Sequence, residues 1–145
     1  MIEQRGSEVK WIAHGCIQTS AKDDYVLRLQ KTRDELKKVV EKFKPDCVAM
    51  EDLFFQTNAK TAIKVGMARG VALITLADLG LEVVDVTPSQ VKQGIAGWGK
   101  ADKKQVQGMV MRFLSLKEAP KPDDAADALA IAIVGGTMFR QPRGK

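Results

Sequence analysis

The spacing of apolar residues changes several times along the chain, and each change predicts an element. Val9 to Ile17, VKWIAHGCI, is rich in β-branched and aromatic residues, and Gly6-Ser7 before it turns back toward the short MIEQ. This predicts a hairpin with a short first strand. Asp23-Asp24 then opens a helix in which Leu29, Leu36, Val40 and Phe43 share one stripe, and Pro45 stops it. Asp46 to Glu51, DCVAME, is a short apolar run that predicts a strand covered on both faces. Thr57-Asn58 caps a long helix that runs to Leu79 and ends at Gly80, and Leu81 to Val86 is the next strand.

After Thr87-Pro88, SQVKQGIAGWGKADKK reads as a basic, glycine-broken loop leading into a helix from about Lys103 to Leu114. A polar stretch with two prolines separates it from KPDDAADALAIAIV, which opens on three carboxylates and is apolar on every side from Ala128 on. The element order predicts one α/β domain over 1–145, with a mixed sheet flanked by helices. Its last residues, 141–145, are expected to form a disordered tail.

Lys and Arg number 23 against 18 Asp and Glu, a formal charge of +5, which suits a polyanionic partner. No apolar run is long enough to cross a bilayer, and MIEQRG lacks the apolar core of a signal peptide, so a soluble cytoplasmic protein is expected. Cys16 and Cys47 lie in apolar stretches with no metal-binding spacing and read as buried free thiols. His14, in the predicted strand, reads as structural.

Asp124 and Asp127, spaced i, i+3, fall on one face of a first helical turn. Acids there favour the positive end of a helix by about 0.3 to 1 kcal/mol each. Three exceed what capping requires, and their mutual repulsion calls for a cation among them. Hard oxygen donors imply Mg²⁺ or Mn²⁺. Glu51 ends an apolar strand, where α/β proteins gather their ligands, and completes a candidate cluster of three carboxylates suited to metal-assisted phosphodiester hydrolysis. Asp123 is left as the helix cap.

GIAGWGK matches a phosphate-binding loop in spacing, but Ala101 follows where a hydroxyl is needed, and PSQVKQ separates it from the preceding strand. Two readings stand for Lys92, Lys100, Lys103 and Lys104: contacts to a nucleic-acid backbone, or solvated lysines around a loop. Phe54 and Phe55 either fold onto the core or present one ring to an unpaired base. Gly66 and Gly70, inside the long helix, imply close approach of another helix, within the fold or across a dimer interface.

Three blocks, EDLFFQTNAKTAIKVGMARGVA, VTPSQVKQGIAGWGKADKKQVQ and PDDAADALAIAI, in that order, resemble the RuvC family of Holliday junction resolvases. The resemblance implies an RNase H-like fold, a homodimer, two divalent ions per subunit and symmetric nicking of four-way DNA junctions, with branch-migration helicase machinery as a further partner. On matching positions, it implies that Glu51, Asp124 and Asp127 are metal ligands, that Lys92 and Lys103 assist at the scissile phosphate, and that Phe54 engages the junction. The family opens with a strand ending in an Asp-Pro-Gly-type motif, followed by one whose tail resembles Ile2-Glu3-Gln4. Met1 therefore stands in mid-strand, and the expectation is an incomplete form of a longer chain lacking the first strand and its aspartate. The rival reading is a non-catalytic junction-binding protein that keeps the basic face; a nucleotide-binding protein is third.

Overall fold

The computed structural model describes residues 1–52 and 59–139; Phe54, Phe55, the Thr57-Asn58 cap and the 141–145 tail lie outside the described residues. Two units divide the chain. Met1–Cys16, Val48–Asp52 and the described chain from Val84 on form the first, and Ile17–Cys47 with the described residues up to Val83 form the second.

In the first unit, β1 (Ile2–Arg5) and β2 (Glu8–Trp11) pair antiparallel, with Ile2 opposite Trp11 and Gln4 opposite Val9. Gly6 at φ 60° supplies the left-handed residue of the two-residue turn. The second strand stops at Trp11 rather than Ile17, because the Met1 carbonyl accepts both the Ile12 and Ala13 N–H groups and the terminal ammonium donates to the Ala13 carbonyl at 2.8 Å. His14 therefore lies outside a strand, exposed, its Nδ1 accepting from Trp11 Nε1 at 3.1 Å. Cys16 is likewise exposed, against expectation, and Cys47 is only half-buried.

β3 (Cys47–Glu51) and β4 (Glu82–Val86) form a second two-stranded ladder, so the strands are shared between two ladders rather than one continuous sheet. Asp52 N–H extends the second ladder to the Val86 carbonyl at 2.9 Å.

The segment predicted as a loop begins as helix α3 (Pro88–Ala96). Thr87 and Gln90 exchange side-chain and backbone hydrogen bonds in a capping box, Pro88 fixes φ in the first turn, and the helix ends at Gly97 with φ 80°. Thr-Pro-Ser-Gln is a complete start signal that outweighs the glycines following it. Gly94 lies within α3, so the apparent phosphate loop is divided between a helix and a turn. A second capping box, Asp102 with Gln105, starts α4 (Lys103–Phe113).

Helix α5 (Asp123–Met138) contributes more to this unit's core than any other element. Ala125, Ala126, Leu129, Ala130, Ile133 and Val134 make a buried stripe, of which Leu129, Ala130, Ile133 and Val134 join Val86, Ile95, Val106 and Val110. Small residues bring α5 very close to its neighbours. A Cβ on Gly135 would overlap the Ala49 methyl, one on Gly136 would overlap the Gln4 side chain, and one on Gly94 of α3 would stand 2.9 Å from Val134 Cγ2. Burial at that range leaves Gln4 Oε1 without a partner among the described residues.

In the second unit, Asp24 rather than Asp23 caps α1 (Tyr25–Phe43), accepting from Val26 N–H at 2.9 Å. Lys44 in the left-handed region ends it before Pro45. α1 packs on α2 (Ala59–Asp78), where Tyr25 donates to the Lys64 carbonyl and Thr75 and Leu76 are buried. Among the described residues, Gly66 and Gly70 approach no neighbour: a Cβ on either meets nothing within 4 Å.

Gly135→Ala should lower stability by about 1–3 kcal/mol through overpacking. Gly108→Ala, at an α4 position where a Cβ meets nothing within 4 Å, should raise it by up to about 1 kcal/mol. Urea unfolding followed by circular dichroism distinguishes them, and a neutral Gly135→Ala would contradict the close approach.

Candidate active site

The first turns of α4 and α5 bring opposite charges together. Lys103, the first residue of α4, places its ammonium 3.4 Å from Asp123 Oδ2 and 3.4 Å from Asp127 Oδ2 on α5. Asp123 and Asp127 are one helical turn apart, so a single cation between them relieves their repulsion. The charge of Asp127, chiefly, raises the Lys103 pKa above the ordinary lysine value, against the opposing effect of desolvation.

Asp123 is not the cap. Pro122 occupies that position with no side-chain hydrogen bond, and Asp123 stands in the first turn, where its carboxylate serves Lys103 instead of the helix backbone. A proline in front of the acids was the available signal, since its ring offers no oxygen acceptor on a side chain. Asp124, exposed beside it, takes no part in the ion pair.

The remaining candidates stand on other elements of this unit. Glu51 is exposed at the carboxyl end of β3, Lys92 is half-buried on α3, and Lys100 and Lys104 are exposed on either side of the Asp102 cap. Phe54 lies outside the described residues. The acids have the right donor chemistry for a hard divalent ion. Among the described residues, no three acid, histidine or cysteine side chains stand together as a ready group for an ion. The two acids that do converge are bridged by an ammonium.

Sequence reasoning missed one feature on the far side of α4. Trp98, Lys104 and Arg112 line an open cleft of about 490 Å³ with Ala96, Gly108 and Met109. The signal available was an indole in a glycine-flanked turn, followed by cations at helical spacing.

A family model described as crossover junction endodeoxyribonuclease RuvC matches residues 1–135. Curated relatives carry the same description. One from Desulforamulus reducens is 48% identical over 133 residues, covering 92% of this chain and 82% of the relative. One from Halothermothrix orenii is 46% identical over 143 residues, covering 99% and 87%. Among solved structures, Thermus thermophilus RuvC in complex with Holliday junction substrate superposes with a TM-score of 0.87 at 36% identity, covering 92% of this chain and 81% of that one. The fold is RNase H-like, as expected. No helix among the described residues is long and apolar enough to cross a membrane.

A ¹⁵N-detected titration of the Lys103 ε-amine should give a midpoint above its ordinary value of 10.5, returning toward that value in Asp127→Asn. Because pairing raises the folded value, the stabilisation it gives is complete below the ordinary lysine range and is lost as pH rises through the folded midpoint. An unshifted midpoint would refute the pairing.

Proposed function

This chain belongs to the RuvC family of crossover junction endodeoxyribonucleases, and on that premise we propose that it resolves four-way DNA junctions by hydrolysing phosphodiester bonds. The observation that carries this reading is the likeness over residues 1–135 to a family of which one solved member is in complex with Holliday junction substrate. Family membership brings dependence on divalent metal. Glu51, Asp124 and Asp127 are proposed as its oxygen donors, toward Mg²⁺ or Mn²⁺, two per subunit. When bound, such ions activate water and stabilise the leaving oxygen.

The chain's own residues have separable tasks in this reading. Lys92 and Lys103 supply positive charge at the scissile phosphate, which in a partly desolvated site favours the extra negative charge of the transition state. Lys100 and Lys104 hold the DNA backbone without reading sequence, and Phe54 engages the junction centre. The link between Lys103 and the α5 acids supports this assignment, because it keeps the cation beside the carboxylates before DNA arrives.

A second copy of the chain completes the proposed enzyme. On α2, Ile63, Met67 and Ile74 are 63%, 48% and 60% exposed and lie on one helix face with Gly70. Among the described residues nothing stands over Gly66 and Gly70, which supports that face as the seat of a partner helix. Such a homodimer presents paired sites to the two symmetric strands of a junction. Branch-migration helicase machinery is the further proposed partner.

With Mg²⁺ and a synthetic four-way junction, Asp124→Asn should slow nicking by roughly a hundredfold or more, on the scale of losing one transition-state stabilising group. Binding without nicking in the unsubstituted chain would favour a junction-binding protein instead. Ile74→Glu should convert the dimer to monomer in analytical ultracentrifugation, and an unchanged mass would reject α2 as the interface.

A further inference from the structure

We propose that the Trp98–Lys104–Arg112 cleft binds one unpaired nucleotide of single-stranded DNA, its base stacked on the indole and its flanking phosphates on the two cations. The proposal deepens the DNA-cleaving reading and places a second contact away from the edge of α4 where Lys103 meets the α5 acids.

Trp98 is 51% exposed in the turn after α3 and lines the open cleft. The face of α4 that carries Lys104, Gly108 and Arg112 lines it as well, with Met109 beside them. This face is turned away from Val106 and Val110, the α4 residues in the core. Gly108 leaves the wall concave at its centre, since no side chain projects there. A cleft of about 490 Å³ is ample for a planar base.

Charge selects the occupant. Neither Lys104 nor Arg112 has an ion-pair partner among the described residues, whereas Lys103, one position away, is held by two carboxylates. No acidic side chain lines the cleft. Lys104 and Arg112 are eight residues apart on one helix, roughly 12 Å along its axis, so they can meet phosphates on both sides of a single stacked base. A paired base has both faces covered by its neighbours in the duplex and offers none to the indole, so the ligand is an unpaired one. Base stacking on an aromatic ring is insensitive to sequence, and the phosphate contacts add a dependence on salt.

The test uses the full chain carrying Trp11→Phe, which leaves Trp98 as the one emitting indole of the two tryptophans. The probe is an oligothymidylate, titrated in EDTA so that binding is read without cleavage. Saturable quenching of Trp98 emission is expected. With a labelled oligonucleotide, Trp98→Ala should weaken binding about tenfold or more, and Trp98→Phe should recover most of the loss. Lys104→Ala with Arg112→Ala should lower the salt slope by about 1.4. Unaltered emission and unaltered affinity in Trp98→Ala would overturn the proposal, as would quenching by an acidic, phenylalanine-containing peptide but not by DNA. Failure of junction nicking leaves these readouts unaffected, so the two readings fail separately.

Discussion

α5 has to lie against the Ala49 methyl of β3 and the Gln4 side chain of β1 with no side chain of its own at Gly135 and Gly136, and most of the first unit follows from that approach. It sets the depth at which Leu129, Ile133 and Val134 enter the core. It also fixes the direction in which the first turn of α5 projects. Because interiors pack to crystal-like density, a helix seated this closely has little freedom to roll or slide. Asp123 and Asp127, about three and a half and two and a half turns away from the glycines, inherit that rigidity and meet Lys103 in a defined place.

Electrostatics and packing therefore act on opposite ends of one helix. At the carboxyl-terminal end, contact is made by the absence of side chains. At the amino-terminal end, where no side chain caps the backbone, the helix dipole and Lys103 both favour negative charge. The acids are held by the tertiary structure, since an Ala- and Ile-rich helix of this length is marginal by itself in water.

Much of this was legible in the residues. Periodicity located α1, α4 and α5, because a stripe of apolar positions is a local property of the chain. The Asp-rich start of α5 was conspicuous for the same reason. What escaped depended on competition or on distant partners. The capping box at Thr87 and Gln90 prevails over glycines that suggested a loop. The carbonyl of Met1 ends β2 from the opposite strand, which no window around Ile12 reveals. Asp123 looked like a cap until Lys103, twenty residues earlier in sequence, was seen to hold it. The cleft beside Trp98 needs two helices to exist at all.

The paired capping boxes of α3 and α4 bear on the order in which the molecule is assembled. Both are encoded within four residues, and the helices they start are joined by a short turn. Local contacts close quickly, whereas the seat of α5 needs β1 and β3 from distant parts of the chain. The lysine-bearing half of the site is thus specified by local contacts and the acidic half by long-range ones. Wherever α5 leaves its seat, Lys103 loses its match to Asp123 and Asp127 and becomes a cation open to any polyanion. The seat of α5 therefore restrains this attraction as well as shaping the core.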